Sequence, residues 1–492
     1  MNTTRTQWAA LAALLLPVLL ISVDNTVLSF AVPHLSEQLR PSGAQLLWIV
    51  DIYSLMLAGL LVTMGTLGDR IGRRRLLLTG AAGFGLASAL AAFAPNAELL
   101  IAARALLGVA GATLMPSTLS LIRNIFTDPR ARTTAIATWT ATFAGGAAFG
   151  PLLGGLLLER FWWGSVFLIN LPVMVVLLVV GPVLIPESRN PNPGRYDLVS
   201  AGLSLVAMMA LAFGIKEFAG VGPWALAVAA ITGYAFVRRQ RRLTDPMLDL
   251  RLFANPRFST AVASNLLAVF VMVGALFFMT QYLQLVLGMT PLRSGLALLP
   301  GVALSVVGSL LAVRLVRRVR LADLLGAAIT ATAFGYLLMA LLPARDGTWL
   351  VVVAFMVVGL GAGITETATN DTILSSVAPA NAGAASAISE TGYELGAALG
   401  TAVLGSALTA AYRGRIDLTG FPESIVDTAR DTLGGALAAA GALPAAQADA
   451  LRESAVHAFT FGVHVTSVLG ALILAFAAAQ AWFVLRRRHS RL

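Results

Sequence analysis

Five carboxylates sit inside long apolar stretches of this chain: Asp24, Asp51, Glu366, Glu390 and Glu394. An ionised side chain in hydrocarbon is costly, so acids that persist there face a polar interior or a water-filled cavity. Glu390 and Glu394 are four residues apart and share one helical face. Asp323 and Asp371 lie nearer the ends of their stretches, and no Lys or His lies close in sequence to neutralise the five. A carboxyl group in a low-dielectric cavity, with a second one beside it, holds its proton to higher pH than it would in water. Such a group can take a proton from one side and surrender it to the other when a cation displaces it. The alternative for each of the five is a protonated carboxyl, hydrogen-bonded inside a bundle.

Arg104 is a basic residue in a similar setting, at a cost of roughly 3 kcal/mol on insertion scales. It must face water, carbonyls or a carboxylate, and a plain structural anchor is the alternative. Several carboxylates with no matched lysine favour cations. Trp48, Tyr53, Met56, Trp139, Phe143, Phe277, Phe278, Tyr282 and Tyr393 could add apolar and cation–π surface, or could simply pack. An apolar pocket with diffuse acidic charge suits lipophilic cations of varied shape better than one small metabolite.

The elements that must position these groups follow from composition. The 492 residues are 58% hydrophobic and only 12% charged, about half the charge of soluble domains. That excludes an ordinary soluble enzyme, a disordered chain and a nucleic-acid binder, and it implies a multi-pass membrane protein in a lipid bilayer. There is no Cys, which removes disulfides, thiolate catalysis and Cys-ligated metals. His34, His457, His464 and His489 have no metal spacing, and no phosphate-binding P-loop is present. No cofactor is expected. The first apolar stretch lacks a small-residue cleavage site and reads as a retained span.

Fourteen stretches are long enough to span, near 8–32, 45–66, 76–95, 98–122, 134–158, 164–185, 198–216, 222–238, 258–286, 293–314, 322–343, 348–372, 382–410 and 457–485. With a cytoplasmic N-terminus, most of the basic residues fall inside, among them Arg70, Arg73, Arg74, Arg75, Arg123, Arg314 and Arg486. The positive-inside rule then puts both termini in the cytoplasm. Abundant Ala and Arg with a single Lys, Lys216, hint at a high-GC bacterial gene. Polar linkers divide the chain into an N-terminal six-helix bundle at 1–190, an inserted helix pair at 191–256 and a C-terminal six-helix bundle at 257–492. The long outer segment 411–456 is expected to form partial helix or a hairpin over the mouth, either as a gate or as a tolerated insertion.

Span five stacks Gly145, Gly146, Gly150, Gly154 and Gly155 around Pro151. Spacings of four clear one helix face, and Pro151 frees the Ala147 carbonyl and bends the helix. The result is a bendable seam or merely tight packing. The segment "GTLGDRIGRRRLLLTG", from Gly65 through Asp69, Arg70, Gly72 and Arg73, has a degenerate echo in "GSLLAVRLVRRVRLADLLG".

These motifs carry a family resemblance. The Gly65–Arg75 segment, "ARALLGVAGA" around Arg104 and "GGAAFGPLLGG" in span five resemble the signatures of the major facilitator superfamily, the last being similar to the one typical of exporters. "SVDNTVLSFAVP" and "ISETGYELGAALG" resemble the fourteen-helix drug:proton antiporters, the QacA/LfrA-like multidrug efflux pumps. The resemblance implies an all-α integral membrane protein with the major facilitator fold: two six-helix bundles plus two inserted helices. It implies that Asp69, with Arg70 and Arg73, helps lock the halves outward-open, and that Arg104 takes part in proton coupling. It implies quaternary ammonium compounds, cationic dyes and fluoroquinolones as substrates. The expected protein is a monomeric, proton-driven exporter of hydrophobic cations in the bacterial inner membrane, working by alternating access. An exporter of one dedicated metabolite (amino acid, polyamine, sugar or peptide) is the first rival. A membrane enzyme or sensor is the second, and no nucleophile–base cluster or signalling domain supports it.

Overall fold

The computed structural model describes residues 3–189, 197–217, 220–244, 246–377 and 382–486, and among these there is helix but no strand. The linker residues 190–196, with Arg195, and the terminal Arg487, Arg488 and Arg491 lie outside the described residues.

The helices are α1 (Thr3–Leu39), α2 (Gly43–Ile71), α3 (Arg73–Ala92), α4 (Ala97–Ile125), α5 (Pro129–Arg160), α6 (Ser165–Leu168), α7 (Asn170–Leu184), α8 (Leu198–Lys216), α9 (Gly222–Arg242), α10 (Pro256–Gln281), α11 (Pro291–Leu315), α12 (Leu321–Met339), α13 (Thr348–Ser375), α14 (Ala382–Arg415), α15 (Glu423–Asp431), α16 (Leu433–Ala440) and α17 (Ala445–Arg486). A π-helical turn, Tyr282–Val286, continues α10. Each of the fourteen expected stretches lies on helix. Among the described residues, twelve helices are long and apolar enough to cross a membrane, thirteen if the bent α5 counts as one span. Helix α9 falls short because Arg238, Arg239, Arg241 and Arg242 occupy its last turns.

Local chemistry sets the helix ends. Ser42 and Gln45 form a capping box at α2, with Gln45 N to Ser42 Oγ at 3.2 Å and Ser42 N to Gln45 Oε1 at 2.9 Å. Asn96 caps α4 through Leu99 N at 2.9 Å. The turn between α2 and α3 is the single residue Gly72, at φ 115°, a conformation that disfavours any residue with a Cβ. Glu187 accepts from Arg74 N at 3.0 Å just beyond it.

Helices α1–α7 form one bundle, and α10–α14 with α17 form the other. The inserted pair α8–α9 lies beside them, α8 touching both α2 and α14 through Leu55, Ala212 and Ala398. The molecule has an arginine-rich end, where the α2–α3 turn meets Glu187 and Ser188. The opposite end carries the segment 411–456, which is largely helical as expected: α15 and α16 form a short hairpin. Tyr412 donates to Ala429 O at 2.7 Å, and Arg413 pairs with Asp431 at 2.5 Å.

At this hairpin end the two bundles are in backbone contact. A Cβ placed on Gly155 of α5 would lie 2.6 Å from Leu292 Cα of α11, and one on Gly295 would lie 2.6 Å from Pro151 O. Gln284 Nε2 donates to Phe30 O at 3.2 Å. Helix α5 bends by 40° between Ala147 and Phe149, one turn before Pro151, whose missing N–H frees the Ala147 carbonyl.

Candidate functional site

The core of the site is where α1, α2 and α4 of one bundle meet α14 of the other. Asp24 on α1 and Arg104 on α4 form an ion pair at 2.5 Å, with side chains 1% and 2% exposed. The remaining guanidinium donors reach the α2 backbone, Nε to Ile49 O at 3.2 Å and Nη2 to Val50 O at 3.3 Å. The Tyr53 ring lies beneath, 4.7 Å from Arg104 Cζ. This satisfies the requirement that a buried guanidinium find a carboxylate and carbonyls. Asp24 is therefore brought against Arg104, and its second oxygen has no hydrogen-bond partner among the described residues.

Asp51 stands differently from expectation. Its Oδ1 lies 2.7 Å from Lys216 Nζ, and both side chains are fully buried. The expectation of carboxylates with no matched lysine is corrected here: the chain's one lysine comes in from α8, 165 residues away. Trp48 also has another role than lining the pocket, since its ring stacks under the ammonium at 3.5 Å.

Glu394 on α14 is 0% exposed. Its Oε1 accepts from Asn25 Nδ2 of the opposite bundle at 3.5 Å, the outer limit of a hydrogen bond, and its Oε2 has no partner among the described residues. Glu390 lies one turn away, and Glu366 on α13 is within electrostatic range of it. The structure thus brings Glu366, Glu390 and Glu394 together, and among the described residues no salt bridge neutralises them. Asn25 was missed by sequence reasoning; its position beside Asp24 in an apolar span was the available signal.

Aromatic groups cross the interface between the bundles. Trp139 and Phe143 of α5 stack at 6.2 Å, and Phe143 meets Tyr393 of α14 edge-on at 5.7 Å. Phe277, Phe278 and Tyr282 lie in the core instead, Tyr282 donating to Pro343 O. A cavity of about 160 Å³ lined by Leu61, Pro116, Ser120, Arg123, Trp139 and Glu390 lies between Glu390 and the arginine-rich end. A small interior cavity of about 30 Å³, lined by Asn25, Asp51, Ser54, Arg104 and Tyr393, lies deeper. A separate cleft of about 390 Å³ at the hairpin end, with His34 and Glu37, holds none of the five carboxylates.

The glycines of α5 divide into two sets. Gly146, Gly150 and Gly154 face Ser22, Thr26 and Val27 of α1 in the same bundle, while Gly155 faces Leu292 of the other. The stripe seats α5 on α1, and Gly155 alone of these crosses between bundles. Asp69 accepts from Arg73 Nε at 2.9 Å within its own bundle, and Arg73 Nη1 donates to Ser188 Oγ at 3.1 Å. Arg70 lies beside them, exposed. Near the ends, Asp323 accepts from Trp482 Nε1 at 3.1 Å, and His464 Nε2 lies 2.6 Å from Leu342 O as a packed polar residue.

A family model described as Major Facilitator Superfamily matches residues 14–401. The chain is 50% identical over 495 residues to the multidrug efflux pump LfrA of Mycolicibacterium smegmatis (strain ATCC 700084 / mc(2)155), covering 99% of this chain and 98% of that one. It is 35% identical over 492 residues to the methyl viologen resistance protein SmvA of Salmonella typhimurium (strain LT2), covering 99% of each. Among solved structures it is similar in fold to a bacterial homologue of the human lysosomal transporter Spinster, with a TM-score of 0.69 at 17% identity over 98% of this chain and 97% of that one. Two helical bundles around an acidic, aromatic interior and a match along most of the chain lead to one conclusion: this multi-pass membrane protein belongs to the Major Facilitator Superfamily and is a secondary transporter.

Proposed function

We propose that this chain exports lipophilic, cationic, drug-like molecules across the bacterial cytoplasmic membrane in exchange for protons, by alternating access, with both termini in the cytoplasm. One observation carries the reading. Glu394 is completely buried at the interface of the bundles, held on one side by Asn25 of the opposite bundle and without a salt bridge among the described residues, the nearby Arg104 being paired with Asp24. A carboxyl group so placed can hold a proton or a cation but is poorly suited to holding bare charge. Proton and cargo then compete for Glu394 and its neighbours Glu390 and Glu366, and exchange follows from the competition.

Further support comes from the relatives, a multidrug efflux pump and a methyl viologen resistance protein. The aromatic run Trp139–Phe143–Tyr393 supplies flat apolar surface for planar cations. The seal at the hairpin end, with a cavity leading from Glu390 toward the arginine-rich end, supports a state that loads from the cytoplasm. One pH unit supplies about 1.4 kcal/mol per proton, and 100 mV adds about 2.3 kcal/mol for each net charge moved. Exchange of one proton for one monocation therefore draws on the pH gradient alone.

The test is ethidium and tetraphenylphosphonium transport by everted vesicles holding the full chain, with and without a proton uncoupler. Uptake that collapses with the uncoupler is the expected result. Uptake indifferent to it would remove proton coupling. No uptake of either cation, with transport of an amino acid, polyamine, sugar or peptide instead, would replace the cargo class by a dedicated metabolite.

A further inference from the structure

Lys216 is the only lysine in 492 residues, and it is spent on a buried contact. Its Nζ lies 2.7 Å from Asp51 Oδ1 and 3.5 Å from the centre of the Trp48 ring. The helix that carries it belongs to neither six-helix bundle. Helix α8 lies against α2, where Leu205 fills the space beside Gly59, and against α14, where Ala212 meets Ala398. The inserted pair thus inserts a positive charge into the wall of the transport interior.

That wall is shared. Asp51 lines the interior cavity together with Asn25, Ser54, Arg104 and Tyr393. Asn25 is the group that holds Glu394. The charge balance of the interior is then uneven. Asp24 is matched by Arg104 and Asp51 by Lys216, while Glu366, Glu390 and Glu394 have no salt bridge among the described residues. The number of carboxylates open to a positive cargo is set by how many the protein neutralises itself.

We propose that Lys216 is a specificity-determining residue: by occupying Asp51 from the inserted helix, it withholds that carboxylate from the cargo and biases the interior toward singly charged over doubly charged cations. The inference rests on the reading that the cargo is cationic. A dication gains more than a monocation from each added acidic charge, so the ratio of the two transport rates reports the number of unmatched carboxylates.

The experiment measures efflux of methyl viologen, a dication, and tetraphenylphosphonium, a monocation, by vesicles holding the full chain. K216M is expected to raise the dication-to-monocation ratio by roughly tenfold. K216R keeps the wild-type ratio. D51N, which leaves Lys216 unmatched in the wall, is expected to lower the ratio, and D51N/K216M returns it to the wild-type value. A purely structural role for the pair would depress both probes alike in K216M and in D51N, and an unchanged ratio in both would overturn the inference. The opposite-signed effect of D51N keeps the test decisive even if K216M fails to reach the membrane. Wild-type vesicles that move neither probe would overturn the cation reading itself, whereas active vesicles with constant ratios would overturn only the role of Lys216.

Discussion

The acids of the two bundles differ in how their charge is met. On the N-terminal side Asp24 and Asp51 each have a buried cation at 2.5 Å and 2.7 Å. On the C-terminal side Glu366, Glu390 and Glu394 have no salt bridge among the described residues; Glu394 lies within electrostatic range of Arg104, which is itself paired with Asp24. A buried pair is held in place by the cost of separating it. A buried acid outside any ion pair is neutralised by what enters, a proton or a positively charged cargo. The first bundle therefore reads as the fixed wall, and the second as the side that exchanges.

That contrast is broken most severely at Arg104. R104M leaves Asp24 buried without its partner and is expected to cost about 3–5 kcal/mol. Thermal unfolding in detergent checks this, and D24N/R104M should recover most of the loss. If R104M unfolds like wild type, Asp24 is not a fixed pair. The converse holds at Glu394. E394Q replaces an acid that has no salt bridge among the described residues by a neutral group of similar shape, so stability changes by less than about 1 kcal/mol. Proton-driven cation efflux should nevertheless fall by roughly tenfold or more, about 1.4 kcal/mol in the barrier. Full efflux by E394Q would erase the distinction between the bundles.

The smallest effect is expected at the half-exposed Asp69–Arg73 pair, whose side chains are 28% and 20% exposed. D69N should lower stability by only about 0.3–0.5 kcal/mol, as for other pairs spaced four apart on a helix. A loss of efflux far larger than that stability change would sharpen the comparison by assigning Asp69 to gating.

Much of this architecture could be read from the chain. Hydrocarbon admits few structures other than long apolar helices, so the helical stretches are legible as apolar runs, although among the described residues twelve or thirteen, not fourteen, are long and apolar enough to cross, and even the helical character of 411–456 could be anticipated. Arg104 announced its need for a carboxylate because an unpaired guanidinium there is untenable. The identity of that carboxylate was hidden, since 80 residues separate it from Asp24. The same is true of Lys216 and Asp51. Lys216 stands at the end of a span and reads as an interfacial charge, the ordinary place for a lysine. The glycine stripe of α5 was visible as a stripe, but its division between α1 and α11 depends on which face each neighbour covers.

The sequence by itself determined that this protein lives in a bilayer, that it is built of long apolar helices, and that acids and one arginine stand inside them, because each of those properties is a local matter of apolar length and the cost of charge in hydrocarbon. Only the tertiary structure decided which acids are matched and which stand open. Pairing acts over a few ångströms in space between residues 80, 165 and 369 positions apart in the chain, and no spacing rule within a helix reaches that far.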